Sequence, residues 1–85
     1  MFFAYVLKSV EHNYYYKGYY YKGHCGDLER RLLQHNAGMT RSIRPYIPFQ
    51  IIYFEQFESE HEAISREKYF KTAAGRRFLK KVIGS

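Results

Sequence analysis

An arginine and a histidine are spaced so that one helix would present both at the border of its apolar face. Arg31 and His35 follow Leu28 by three and seven residues, on the flank of the stripe that Leu28 and Leu32 define. Ordinary amphipathic helices also carry such pairs, with the arginine charge extended to solvent and the histidine half-exposed. The spacing leaves two interpretations open, an ordinary helix border or a pair that takes part in chemistry.

A glutamate occupies a position that the same periodicity assigns to a core. Glu67 lies between Ala63 and Phe70 at i, i+4, i+7 spacing, so its carboxylate falls within the apolar stripe of a second helix. A carboxylate there needs a partner, because removing a charge from water is costly. A pair with Lys71 is one explanation, although an exposed i, i+4 pair contributes only about 0.2–0.5 kcal/mol. A metal ion or a catalytic cation would be a stronger reason for this placement.

An aromatic and basic segment near the N-terminus repeats one pentapeptide. The stretch YYYKGYYYKG, Tyr14 to Gly23, contains two consecutive copies. Its side chains suit a nucleic-acid platform, an apolar strand, or one half of an active site. The segment alone does not decide which copy has a role.

The first half of the chain predicts a hairpin and a helix. Residues Phe2–Ser9 and Tyr14–Gly23 are rich in strand-forming residues, and a polar turn near His12 and Asn13 separates them. Asp27 is a helix-capping residue and Gly38 suits the position just past a helix end, so the first helix lies between them.

The second half predicts a loop, a strand and two helices. Residues 39–48 contain two prolines and cationic side chains, which indicate a basic loop, and residues 49–58 favour a strand. Ser59 and Glu62 have capping-box spacing, so a helix should begin there and continue to about Thr72. Residues 75–83 favour a last short helix. The order β-β-α-β-α-α indicates one α+β domain over residues 1–85, a three-stranded antiparallel sheet flanked by helices.

Composition narrows the class of protein. The 85 residues suffice for one core, and the net charge of +6 favours a polyanionic partner. Cys25 is the single cysteine, which excludes an internal disulfide and a multi-cysteine zinc site and is typical of a reducing compartment. No apolar run has the length of a membrane span, and the N-terminus does not fit a signal peptide. We therefore expect a cytoplasmic protein without a membrane or disulfide-linked partner.

Five short stretches form a series over nearly the whole chain. They are FAY at 3–5, YKG at 21–23, GDLERRLLQHN at 26–36, RSIRPYIPFQIIYFEQF at 41–57 and EAISREKYFKT at 62–72. Together, and in this order, they resemble the GIY-YIG nuclease superfamily, and within it the small single-domain bacterial branch. FAY lacks the glycine and isoleucine of the family name and YKG lacks the central isoleucine, whereas the tyrosines and the second glycine are present.

The resemblance implies roles for particular residues. It matches Tyr5 and Tyr21 to the tyrosines of the two motifs, Arg31 to the helix arginine, His35 to the histidine one turn later, and Glu67 to the metal-binding glutamate. Arg31 would hold the scissile phosphate, while Tyr5 or His35 would activate the attacking water. The resemblance does not divide that role between the two.

Two copies of the pentapeptide compete for the second motif. Tyr16 keeps the family's spacing to Tyr5, whereas Tyr21 keeps the spacing to the following helix. Tyr16 and Tyr21 are an odd number of residues apart, so one strand would present them on opposite faces. We expect Gly23 just before the helix, where it lets the backbone turn, and Tyr5 directly opposite Tyr21. Tyr21 is therefore the predicted working copy.

The implied activity is a metal-dependent DNA endonuclease. We expect one Mg²⁺ or Mn²⁺ ion, hydrolysis of one strand per active site, little sequence specificity, double-stranded or branched DNA, and DNA repair as a setting. A catalytically inactive nucleic-acid-binding module is the alternative, and a protein-interaction domain would leave Glu67 unexplained. Five cationic residues are expected to contact nucleic acid: Arg41, Arg44, Lys71, Arg76 and Arg77.

Overall fold

The computed structural model describes residues 1–10 and 20–84 and has an α+β architecture. Its elements are β1 Phe2–Ser9, β2 Tyr21–Cys25, α1 Leu28–Asn36, a 3-10 helix Arg41–Tyr46, β3 Phe49–Phe57, α2 Glu60–Phe70 and α3 Ala73–Ile83. The predicted fold class and the order of strands and α-helices are confirmed. The turn predicted near His12 and Asn13 and the first copy of the pentapeptide lie outside the described residues.

β1 is the middle strand of an antiparallel sheet with the order β2-β1-β3. Its register with β2 pairs Tyr5 with Gly23 and Leu7 with Tyr21. The predicted pairing of Tyr5 directly with Tyr21 is therefore wrong by two residues. Since alternate residues of a strand share a face, Tyr21 is a diagonal neighbour of Tyr5 on the same face.

Helices cover both faces of the sheet. On one face, Ala4 and Val6 of β1 pack against Phe70 of α2 and Leu79 of α3. On the other, Tyr5 and Leu7 belong to a cluster with Ile43 and Phe49, and Leu28 and Leu32 of α1 pack beside it. The alternation along β1 thus sends Tyr5 toward α1 and its neighbours toward α2 and α3.

Caps fix the ends of the helices where the sequence predicts them. The Asp27 carboxylate accepts a hydrogen bond from the Arg30 amide at the start of α1, and Gly38 after its end has a φ of 82°. Ser59 and Glu62 form a complete capping box at the start of α2. These bonds satisfy amides that the first helical turn leaves without partners.

The segment predicted as a basic loop contains a 3-10 helix instead. Arg41–Tyr46 is helical although Pro45 lies within it, because the fixed φ of proline is compatible with 3-10 geometry. Ile43, which is 2% exposed, packs in the Tyr5 cluster and holds the segment against the sheet. The loop prediction failed because it weighed the prolines and missed this apolar anchor.

Asn36 joins the end of α1 to the start of β3. Its side-chain amide donates to the Phe49 carbonyl at 3.1 Å, and its carbonyl accepts from the Phe49 amide at 2.7 Å. These two hydrogen bonds fix the position of the last turn of α1 over the sheet. That turn carries His35, so Asn36 helps to position the candidate site.

Candidate active site

The hydroxyl of Tyr5 lies at the centre of a polar cluster on the α1 side of the sheet. Tyr5 is 1% exposed, and its oxygen is 2.8 Å from His35 Nε2 and 3.4 Å from Arg31 Nε. The arginine nitrogen can only donate, so the phenol accepts from Arg31 and has its own proton available for His35. The structure thus brings together three of the predicted site residues.

Gly23 creates the space that the Tyr5 ring occupies. A Cβ atom at Gly23 would lie 2.5 Å from the Tyr5 hydroxyl oxygen and 2.6 Å from Cζ. Gly23 lies inside β2, and the chain bends only at Gly26. The prediction that Gly23 lets the backbone turn into the helix is therefore wrong, because what the position requires is the absence of a side chain.

Tyr21 lies beside the same cluster. Its ring centroid is 4.9 Å from that of His35 and 6.4 Å from that of Tyr5. The second copy of the pentapeptide thus supplies a tyrosine to the α1 face, where it was expected. Its catalytic role stays a prediction, and Tyr16 lies outside the described residues.

His35 is buried rather than half-exposed. It is 1% exposed, and its Nδ1 atom is 2.6 Å from the Thr40 hydroxyl. Burial, and secondarily the positive charge of Arg31, lower the pKa of His35 to about 4. The imidazole is therefore neutral near pH 7, and its two nitrogens divide into one donor and one acceptor.

The hydrogen-bond partners indicate which nitrogen accepts. If Tyr5 donates to Nε2, the proton of the neutral ring is on Nδ1 and points to Thr40. The Thr40 hydroxyl is available for this bond because it caps no amide of the 3-10 helix, although Thr40 is its N-cap residue. The resulting chain of donors runs from Arg31 through Tyr5 and His35 to Thr40.

The Tyr5 phenol stays protonated at rest. Burial raises the pKa of Tyr5 well above its ordinary value, and the hydrogen bond from Arg31 opposes this rise without cancelling it. A phenol with a high pKa becomes a base only when its proton has an acceptor. The neutral Nε2 of His35 supplies that acceptor at 2.8 Å.

Arg31 lies between this cluster and an open cleft. Its NH1 group donates to the Gln34 side-chain oxygen at 3.2 Å. The cleft is lined by His24, Cys25, Gly26, Asp27, Arg30, Arg31, Gln34 and Glu60. A ligand in the cleft would therefore meet the Arg31 guanidinium before it reached the Tyr5 hydroxyl.

Glu67 belongs to the opposite face of the sheet. Its side chain is 17% exposed, and its two oxygens are each 2.6 Å from a nitrogen, one from His24 Nδ1 and the other from Lys71 Nζ. Burial raises the pKa of Glu67, but the bonds from Lys71 and His24 outweigh it and leave the pKa below its ordinary value. The i, i+4 pair with Lys71, the weaker of the two explanations, is thus present, together with a histidine that the sequence analysis did not consider.

His24 connects Glu67 to the cleft. It alternates with Gly23 along β2, so its side chain points to the α2 face, and it also lines the cleft beside Arg31. Because β2 is an edge strand, a group at its open edge can contact both faces. The Glu67 carboxylate is therefore one hydrogen bond away from the cleft.

The Glu67 carboxylate fits a single hydrated cation better than a closed metal site. Within residues 1–10 and 20–84, no three His, Cys, Asp or Glu side chains converge on one point. Mg²⁺ commonly takes one or two carboxylates and completes its shell with water and phosphate oxygens. Glu67 is ionised, and the Lys71 side chain is 54% exposed, so Lys71 is free to move and release a carboxylate oxygen.

The cationic residues expected at nucleic acid form two groups. Arg41 and Arg44 are exposed on the 3-10 helix, and Arg44 donates to the Gly38 carbonyl at 2.8 Å. Lys71, Arg76 and Arg77 are exposed at the junction of α2 and α3. The structure does not bring the two groups together, because their helices pack on opposite faces of the sheet.

Sequence reasoning missed two residues that contact the predicted ones. His24 directly follows the YKG motif, so strand alternation could have placed it on the face of α2, where Glu67 lies. Thr40 carried no comparable signal, because its contact with His35 depends on the fold of the 3-10 helix.

Comparison with known proteins agrees with this geometry. A family model described as the GIY-YIG catalytic domain matches residues 1–81. The chain belongs to the GIY-YIG family. This is a nuclease family, and membership implies DNA as the substrate.

Several relatives are small bacterial proteins of the same kind. The chain is 36% identical over 70 residues to a UPF0213 protein of Streptococcus pyogenes serotype M3, and this alignment covers 81% of the chain and 70% of that protein. It is 33% identical over 79 residues to a UPF0213 protein of Staphylococcus saprophyticus, which covers 92% and 89%. These GIY-YIG relatives carry names that state no activity.

No solved structure matches the chain at comparable significance. None of the helices within residues 20–84 is long and apolar enough to cross a membrane.

Proposed function

We propose that this GIY-YIG protein is a divalent-metal-dependent DNA endonuclease that hydrolyses one strand per active site. The observation that carries the proposal is the convergence of Arg31 and His35 on the buried Tyr5 hydroxyl, with a neutral imidazole at 2.8 Å. A packed core would gain nothing from this cluster, since burying polar groups stabilises a fold little even when they are paired. Proton transfer from an attacking water gives such a cluster a use.

The cluster supports a proton relay. As the water oxygen bonds to phosphorus and the P–O3′ bond breaks, the water gives a proton to the Tyr5 oxygen, and Tyr5 gives its own proton to His35 Nε2. The transient positive charge on His35 is stabilised by Thr40 only weakly, so after cleavage the ring gives the proton back through Tyr5 to solvent, and the departing O3′ takes a proton from water. Tyr5 is thus the base that touches the water, and His35 is its acceptor.

Arg31 controls access to this relay. Tyr5 is 1% exposed, and the Arg31 bond to its hydroxyl is 3.4 Å, near the upper limit for a hydrogen bond. A phosphate offers a guanidinium charged, shorter and bidentate bonds. We expect the arriving phosphate to draw Arg31 toward the cleft, which uncovers the Tyr5 oxygen and places the phosphate beside it.

Glu67 is the residue we assign to the metal. A bound Mg²⁺ or Mn²⁺ would supply charge neutralisation at the phosphate and the departing oxygen. On the protein side, His24 holds the carboxylate at the edge of the cleft and Lys71 keeps it ionised until the ion replaces that contact. The proposal also includes little sequence selectivity, double-stranded or branched DNA, a single domain over residues 1–85 and a cytoplasmic location, to which the unpaired Cys25 is suited.

One observation favours the alternative of an inactive binding module. Both oxygens of Glu67 already have partners, so the carboxylate could serve only to anchor β2 to α2. The two functions differ in their need for metal. A binding module in which Glu67 is an anchor would bind DNA without a metal ion, whereas an endonuclease needs the ion to cleave.

Nicking of supercoiled plasmid tests the proposal. The parent protein should nick with Mg²⁺ or Mn²⁺ and should be silent in EDTA. Glu67→Gln should be slower by about a hundredfold or more, because the charge of the ligand is lost while its shape is kept. Its affinity for DNA in EDTA should match that of the parent. Glu29→Gln, an exposed carboxylate on α1, serves as the matched control and should nick normally.

Two results would contradict the proposal in different ways. Parent-rate nicking by Glu67→Gln would make Glu67 structural and remove the metal assignment. DNA binding by the parent without nicking under either metal would favour the inactive module.

A second pair of variants tests the choice of tyrosine: Tyr21→Phe should be slower by about tenfold, whereas Tyr16→Phe should stay close to the parent.

A further inference from the structure

A buried lysine on β2 has no partner for its charge among the residues that the structure describes. Lys22 is 9% exposed, and it pairs with Val6 in the ladder, so its side chain runs into the face covered by α2 and α3. No hydrogen bond or ion pair holds its ammonium group among residues 1–10 and 20–84. In that part of the chain, every side-chain nitrogen or oxygen that is shielded from solvent has a hydrogen-bond partner. The Lys22 nitrogen has none there, so it must still reach solvent.

The charges that act on the pKa of Lys22 are of the same sign. Burial lowers the pKa of Lys22, and the positive charges of Arg76 and Lys71 lower it further. Lys71 is neutralised by its ion pair with Glu67, whereas Arg76 only donates to the Lys71 carbonyl, which carries no charge. Lys22 therefore lies within the electrostatic reach of two other cations, of which Lys71 has a carboxylate partner, and the fold alone gives no reason to bury a third.

The first turn of α3 adds backbone donors beside Arg76. Arg76 lies in that turn, which contains no acidic residue. Thr72 accepts from the Gly75 amide through its side chain and from the Arg76 amide through its carbonyl. The amides of Ala73 and Ala74 are left for another acceptor, and the helix dipole favours a negative charge there.

We propose that Lys22, Arg76 and the first turn of α3 bind one phosphate group of a nucleic-acid backbone, next to Glu67 at the edge of β2. A phosphate satisfies the three features together: it pairs the ammonium at the end of the buried Lys22 stem, it receives the arginine fork, and it accepts from helical amides. That the phosphate belongs to DNA rests on the proposed function. The geometry of the site itself requires only a phosphate.

The position of the site gives it a purpose in substrate binding. Lys71 contacts both groups, since its ammonium pairs with Glu67 and its carbonyl accepts from Arg76. A strand held here by one phosphate would pass directly beside Glu67. We therefore infer that the site fixes the position of the DNA strand relative to the metal ligand, a task that Arg31 performs from the other side of β2.

Inorganic phosphate is the first probe. In a titration followed by amide NMR of the metal-free protein, sodium phosphate should shift the signals of Ala73, Ala74 and Gly75, and sodium chloride at equal ionic strength should not. Arg76→Gln should weaken this response by several-fold while the fold is retained, because the residue is exposed. Equal responses to phosphate and chloride would overturn the inference.

Lys22→Met is the decisive variant, because binding and stability should change in opposite directions. Methionine keeps the length of the buried stem and removes the unpaired charge, so the Tm should rise by about 5 °C. Binding of a short duplex in EDTA should weaken by about fivefold, and the salt dependence should lose about one phosphate contact. Lys68→Met, an exposed lysine of α2, makes the same change in net charge and is the matched control.

Comparison of Lys22→Met with Lys68→Met shows which result would overturn the inference. If Lys22→Met alters duplex affinity no more than Lys68→Met does, Lys22 is an ordinary lysine extended toward solvent and the site does not exist. Both measurements exclude metal, so they are independent of cleavage. A chain that never nicks DNA but loses phosphate binding in Lys22→Met keeps this inference while the proposed function fails.

Discussion

At the scale of single residues, burial moves the pKa values of Tyr5 and His35 apart. It raises the pKa of the phenol and lowers that of the imidazole to about 4, so the shared proton rests on Tyr5. Arg31 opposes the first shift and adds to the second. A phosphate that draws Arg31 away from Tyr5 would raise the basicity of both groups at the moment when a proton acceptor is needed. On the proposed mechanism, the substrate itself would therefore change this arrangement into the reactive one.

His35 should make the stability of the protein depend on pH above the carboxylate range. Its pKa is about 4 in the folded chain against 6.5 for the ordinary value, so the unfolded chain binds the proton first as pH falls. The contribution is complete above pH 6.5 and should decrease as pH falls toward 4. Thermal unfolding between pH 7 and about 4.5, above most carboxyl pKa values, should show a falling Tm for the parent and a flatter profile for His35→Gln. Parallel profiles would show that His35 is not protonated on unfolding in this range.

Thr40 should act on cleavage through His35 rather than on DNA. Thr40→Val keeps the shape and removes the acceptor for Nδ1–H, so the ring loses the contact that fixes its tautomer. We expect kcat to fall by about tenfold, with DNA affinity in EDTA unchanged. Thr40→Ser keeps the hydroxyl and should restore most of the rate. Equal rates for the valine and serine variants would show that the bond to His35 has no part in cleavage.

At the scale of elements, the sequence predicted the caps and missed the register. Asp27, Gly38 and the Ser59–Glu62 box act within a few residues of themselves, so their spacing carries the information. The pairing of Tyr5 with Gly23 is set by the whole ladder of β1 and β2, which no short motif reports. The same limit applies to the site, where the α1 residues were predicted and the contact of Thr40 with His35 was not, because that contact joins separate elements.

Two glycines, Gly23 inside β2 and Gly26 directly after it, give a matched test of this packing. A Cβ at Gly23 would lie 2.5 Å from the Tyr5 oxygen, whereas a Cβ at Gly26 has no neighbour nearer than 3.9 Å. Gly23→Ala should therefore lower the free energy of unfolding by about 1–3 kcal/mol, as overpacking does, and should displace Tyr5 from His35. Gly26→Ala should be close to neutral. Chemical denaturation of both variants measures the difference, and equal effects would mean that β2 moves freely away from β1.

At the scale of the whole molecule, the sheet places the Tyr5 cluster and Glu67 on opposite faces, and both lie close to the cleft at the edge of β2. The Tyr5 cluster lies on the α1 face and Glu67 on the α2 face, and β2 is the edge strand between them. The two cationic groups follow the same division, with Arg41 and Arg44 on one side and Lys71, Arg76 and Arg77 on the other. A DNA strand that crosses the edge of β2 would contact both. The net charge of +6 favours such an approach at long range without selecting a base sequence.

This arrangement predicts the course of plasmid cleavage. Each chain of 85 residues has one Tyr5 cluster and one Glu67, so one encounter should break one strand. Supercoiled plasmid should first become nicked, and linear DNA should arise only after nicked molecules have accumulated, because a second cut must fall close to the first on the other strand. A time course on an agarose gel measures the order of products, and the initial rate should be first order in protein concentration. Linear product in constant proportion from the first time point, with a rate that depends on the square of the concentration, would mean that two chains act together, because two sites would then face the two strands at once.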